Sequence, residues 1–151
     1  MATTPVYNLP YQALEDAPHG PNLGQDLAEA VETEFQRLDT IQTVTTGFTA
    51  STGFTTLAFR GIRAGAVHTI KIHAQVTTTI TLDSSGNLPD KQVGTLPSGW
   101  YDATEPTMIF GDNGLYIITG IINVNGTVTL RAAGGNISAS TSVRLTATYV
   151  K

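Results

Sequence analysis

Side chains able to do chemistry are few in this 151-residue chain, and their spacing limits what they can do. The histidines are His19, His68 and His73. His68 and His73 stand five residues apart in an alternating stretch, so a strand sends them to opposite faces and they cannot share a metal ion. His68 falls in phase with Ile70, Ile72, Ala74 and Val76 and reads as a residue at the edge of a core. His19 sits among prolines and reads as a turn or contact residue. Ser84-Ser85-Gly86 and the serines from Ser138 to Ser142 offer hydroxyls. Neither segment contains a Gly-x-Ser-x-Gly elbow, and no His is placed to act as their base. Asp102 and Glu105 flank one loop, the nearest approach to a glycosidase carboxylate pair, but solvated loop acids explain them better. Asp112-Asn113-Gly114 looks like part of a calcium loop without its remaining ligands, and reads as a turn. Cysteine is absent, which excludes disulfides, thiol catalysis and cysteine-held metal. No Walker-type loop or dinucleotide fingerprint occurs. The expectation is no enzyme, no metal and no cofactor.

One aromatic pair stands apart. Leu96-Pro97-Ser98-Gly99-Trp100-Tyr101 carries the only Trp beside a Tyr, in a Pro/Gly loop between strands. Two readings stay open for Trp100 and Tyr101: a plug that closes the core, or a stacking platform for a saccharide or protein partner.

The elements that must position these residues follow from composition and charge. Charged residues are 13 % of the chain, about half the usual share of roughly 25 %. Hydroxyls take their place, with 25 threonines, whose β-branched side chains suit a pleated surface. A net charge of −4 argues against a nucleic-acid backbone as partner. No run of about 18 apolar residues occurs, so no membrane insertion is expected. The opening Met-Ala-Thr-Thr-Pro lacks the basic and apolar regions of an export signal.

Charge is distributed unevenly. Residues 1–43 hold seven acids and one base, a net −6, whereas residues 44–151 hold five acids and seven bases, a net +2. Pro5, Pro10, Pro18 and Pro21 crowd the beginning. The chain therefore divides into an extended Pro-rich arm (1–21), an amphipathic helix (22–43) and a β-rich head (44–151). In the arm, Tyr7, Leu9, Pro10 and Tyr11 form an apolar group without regular periodicity, and Pro10 and Pro18 oppose regular structure there. Such an arm either straps its own domain or inserts into another protein.

For the helix, Asn22 as N-cap with Gln25 three residues on predicts a capping box. Leu23, Leu27, Ala30, Val31, Leu38 and Ile41 then make an apolar stripe, widened by Phe35. This stripe either packs on the β-domain or forms a short parallel seam. Leu27, Val31, Leu38 and Ile41 fit alternating a and d positions, with Glu34 intruding at one d. So short a seam requires the β-domains to associate as well.

Beyond residue 44, period-2 alternation runs through Phe54–Phe59 and Ala66–Leu82. Turns are predicted at Ser84–Asn87, Asp112–Gly114 and Gly134–Asn136, and Asn125-Gly126 predicts a type I′ hairpin. Seven or eight strands without an intervening helix predict an antiparallel, jelly-roll-like β-sandwich.

Leu9-Pro10-Tyr11, Asp16-Ala17-Pro18 and the segment Asp26–Glu32 together resemble the opening of small virion proteins of tailed bacteriophages, especially those of actinobacterial hosts. The Leu96–Trp100 loop, the Asn-Gly hairpin tip and the closing Leu145–Tyr149 strand resemble heads of phage fibre and baseplate proteins. The resemblance implies a homotrimer located on the virion. It places Tyr7, Leu9, Pro10 and Tyr11 in attachment to capsid or tail proteins, and Leu27, Val31, Leu38 and Ile41 in oligomerisation. The β-heads, with Trp100 and Tyr101, would face outward, where a host cell-surface glycan is a candidate partner. No fibrous shaft separates helix from head, which leaves a short fibre, a tail-tip protein or a capsid decoration protein. A carbohydrate-binding module centred on Trp100 is the alternative. An enzyme acting on cell-wall polysaccharide through Asp102 or Glu105 is a further class.

Overall fold

A computed structural model describes residues 2–3, 10–11 and 21–151. The chain divides into two units, 1–41 and 42–151.

In the first unit, β1 (Ala2–Thr3) pairs antiparallel with β2 (Pro10–Tyr11), with Ala2 opposite Tyr11. Pro10 thus joins a short ladder where the sequence predicts none. A proline fits there because it opens a two-residue strand and need not donate along it. Helix α1 (Pro21–Asp39) lies against β2. It begins at Pro21, whose missing N–H costs nothing at the first helical position. Asn22, predicted as the N-cap, is therefore inside the helix, and Gln25 Nε2 donates to Glu29 Oε1 at 2.7 Å one turn further on.

The helix also stops earlier than predicted. Thr40 Oγ1 donates back to the Gln36 carbonyl at 2.7 Å, and Ile41 opens a strand, β3 (Ile41–Val44). The run Thr40-Ile41-Gln42-Thr43-Val44 explains this, since its β-branched side chains favour extended backbone over another helical turn. Ile41 is thus not a member of the helical stripe.

The second unit continues with β4 (Thr49–Ala50), β5 (Phe54–Ala64), β6 (Val67–Val76), β7 (Lys91–Thr95) and β8 (Thr107–Asp112). It closes with β9 (Ile117–Ile122), β10 (Thr127–Ala133) and β11 (Ser142–Val150). The protein is mainly β, with antiparallel ladders and a single helix among the described residues. The strands form one continuous sheet in the order β3-β5-β6-β11-β8-β9-β10-β7-β4, where two stacked sheets are predicted.

That sheet must curl, because one face of nearly every long strand is buried in a single apolar cluster. Ile70, Ile72, Ala74 and Val76 of β6 meet Ile109, Ile118, Ile122, Val128, Leu130, Val143 and Leu145 there. Phe48, just before β4 at one end of the sheet, stacks on Phe59 of β5 near the other, with ring centroids 5.7 Å apart. A register shift at Leu57 of β5 keeps both Phe54 and Phe59 inward although they are an odd number of residues apart.

The β9–β10 hairpin forms where Asn125-Gly126 predicts it, but not as a type I′ turn. Gly126 alone has positive φ, at 82°. Gly126 N–H donates to the Asn123 carbonyl, and Asn123 N–H to that of Thr127, both at 2.8 Å. This is a three-residue loop whose last residue is left-handed, so Asn125 escapes the strained region and its Oδ1 accepts from Thr127 N–H at 3.1 Å. The Asp112–Gly114 and Ser84–Asn87 turns form as predicted, held by the Asn113 and Asp83 side-chain oxygens.

Candidate functional site

The sequence-predicted site residues belong to the N-terminal segment, to α1 and β3, and to the loop that follows β7. Tyr7 and Leu9 lie outside the described residues, as do the side chains of Pro10, Tyr11 and Leu38. On α1, Val31 is half-buried and Leu27 is exposed, and Phe35 is 68 % exposed. Ile41, on β3, is exposed as well. The helix therefore carries apolar side chains that its own unit leaves uncovered.

Trp100 and Tyr101 both pack half-buried against the core, on different neighbours. Trp100 lies over Gly61 of β5, where a Cβ would come within 2.5 Å of its Cε3. Its ring also meets His68 edge-on, 5.8 Å between centroids, and His68 stacks on Tyr149 at 5.3 Å. Tyr101 covers Gly126 at the β9–β10 turn. The two rings are thus lids over two glycines, each with part of its surface still open to solvent.

His68 is 3 % exposed and its Nδ1 has no hydrogen-bond partner. Burial lowers its pKa from 6.5, assisted by the positive charges of Arg63 and Lys151, so the ring is neutral at pH 7. The Tyr149 hydroxyl, also buried without a partner, is pushed up to about 12 by burial and by the Asp102 charge. Asp102 accepts from the Thr104 hydroxyl at 2.6 Å and the Thr104 N–H at 2.7 Å. These bonds hold its carboxyl below the usual range, as an ionised turn-former and not as the raised-pKa acid that glycoside cleavage needs. His68 and His73 face opposite sides of β6, and no cluster able to hold a metal ion occurs among the described residues.

The outer face of the sheet holds a group of residues that sequence reading did not single out. Ladder register places Arg60 of β5 opposite Lys71 of β6, Lys71 opposite Thr146 of β11, and Thr146 opposite Phe110 of β8. The adjoining row runs from His73 to Arg144 to Asp112. Together they line an open trough of about 350 Å³. Arg144 donates to Asp112 Oδ1 at 3.1 Å, while Arg60 and Lys71 have no ion pair among the described residues. Phe110 is 53 % exposed, and His73 Nε2 is buried without a hydrogen-bond partner. Alternation alone marks Lys71 and His73 as outward; nothing local in the sequence shows that strands distant in the chain align them with Phe110.

Compared with known protein families and with curated proteins, the chain matches none. Among the described residues no helix is long and apolar enough to cross a membrane.

Proposed function

We propose that this chain is a non-enzymatic structural protein of a bacteriophage virion, a homotrimer that attaches through its N-terminal segment and displays the β-heads outward. The virion setting rests on the resemblance carried by Leu9-Pro10-Tyr11, Asp16-Ala17-Pro18 and Asp26–Glu32. A short fibre or tail-tip protein fits best, with capsid decoration as the same architecture at another place on the particle.

The observation that carries the display reading is the contrast in how the two units are covered. The 42–151 unit closes a complete apolar core from its own strands. The 1–41 unit, acidic and short, leaves Leu27 and Phe35 of α1 in solvent. An amphipathic helix with open apolar side chains suits a contact with its copies, and a Pro-rich arm lowers the ordering cost of docking on a virion protein. Three arms per trimer would add avidity to each weak contact.

Deleting residues 1–20 is the direct test. The truncated protein should remain a folded trimer and fail to incorporate into particles. Incorporation at the level of the full chain would make the arm an internal strap and remove it from attachment.

A further inference from the structure

Arg60 and Lys71 are direct cross-strand partners on the outer face, both exposed. Like charges so placed repel, at a cost of a few tenths to about 1 kcal/mol, and opposite-charge partners are the usual remedy. Here the one acid lining the trough, Asp112, is engaged by Arg144. Among the described residues, two cations are thus held side by side without a counter-charge.

The rest of the row fits one kind of ligand. The Thr146 hydroxyl follows Lys71, and then the open Phe110 ring, three strand spacings or roughly 14 Å from Arg60. A simple inorganic anion would use the cations and leave the aromatic ring idle. A saccharide bearing a negative group uses both, because aromatic faces suit the CH surfaces of sugar rings while guanidinium and ammonium groups take carboxylate or phosphate oxygens.

We infer that the trough of Arg60, Lys71, Thr146 and Phe110 is a recognition site for an acidic saccharide. Arg60 and Lys71 take the carboxylate or phosphate, and Phe110 stacks on an adjoining sugar ring. The inference deepens the display reading and rests on it, since it supplies the outward head with a ligand class.

The test uses the full chain and four immobilised polymers: polygalacturonate, a phosphomannan, neutral dextran and the sugar-free polyanion polyacrylate. One of the two acidic glycans should bind at least about tenfold more tightly than dextran and than polyacrylate. Preference for polygalacturonate assigns a carboxylate, and preference for phosphomannan a phosphate. Arg60→Gln combined with Lys71→Gln should lose about tenfold or more, and Phe110→Ala severalfold, with the melting temperature not lowered in the first, which relieves the like-charge pair, and unchanged in the second. No preference over dextran, equal binding to polyacrylate, or full binding by either variant overturns the site. Trimer mass and particle location are read separately. A particle-borne trimer without glycan preference therefore overturns this site alone, whereas a monomer absent from particles overturns the display reading.

Discussion

The two units of the chain place their apolar side chains in opposite ways. In the 42–151 unit, Ile70, Ile109, Ile118, Leu130 and Val143 are wholly buried, and strands far apart in sequence supply them. In the 1–41 unit, the described part of α1 has no fully buried side chain, although it has a clear apolar stripe. A segment of about 40 residues rarely closes a core without help. The difference teaches that the β unit encloses its apolar side chains within its own sheet, while the described part of α1 leaves its stripe partly open.

The largest effect that can break this comparison lies in the sheet. Ile70→Ala or Ile118→Ala should cost about 2–5 kcal/mol in urea unfolding of the full chain, because each removes a side chain that the curled sheet encloses completely. A cost near zero would mean that the sheet does not close as described.

Gly126→Val is expected to cost less, about 1–3 kcal/mol. It forces a β-branched residue to positive φ at the hairpin and drives its Cβ against the Tyr101 ring. A shift of the Tyr101 environment in near-UV circular dichroism should accompany the loss. An unchanged spectrum and melting point would remove Tyr101 from that turn.

The pH response follows from His68. Its pKa in the folded chain is lowered from 6.5, chiefly by burial. Below about pH 6.5 the unfolded chain binds a proton that the folded chain refuses, so stability falls as pH drops below that value and is unaffected by this group above it. Denaturation of the wild type and of His68→Phe at pH 7.5 and 5.5 should show a smaller loss on acidification in the variant. An equal loss would assign the acid sensitivity to other groups.

The smallest effect on folding is expected on the helix. Phe35→Ala, at an exposed side chain, should change head unfolding by no more than about 0.5 kcal/mol, yet weaken association of the chain. A large loss of head stability with unchanged mass would show the helix serving its own β unit.

Most of the sheet was legible because its signals are local. Alternation in Val67–Val76 places His68 with the buried residues, and Asn125-Gly126 marks a hairpin even though its turn type differs. Strand β7 was not legible: Lys91-Gln92-Val93-Gly94-Thr95 has one large apolar residue, and its pairing with β10 depends on a partner more than 30 residues away. The end of α1 departs from the predicted bounds for a related reason. Ile41 continues the helical spacing, but the β-branched residues around it favour the strand that pairs with β5. The trough of Arg60, Lys71 and Phe110 arises only from the register of four strands, which no window of sequence contains.

Association is the central claim, and sedimentation equilibrium of the full chain at micromolar concentration tests it most directly. The account predicts a single species at three times the 15.9 kDa of one chain, shifting to lower mass in Leu27→Asp, where like charges are brought together at the stripe. A clean 15.9 kDa species for the unaltered chain would contradict it.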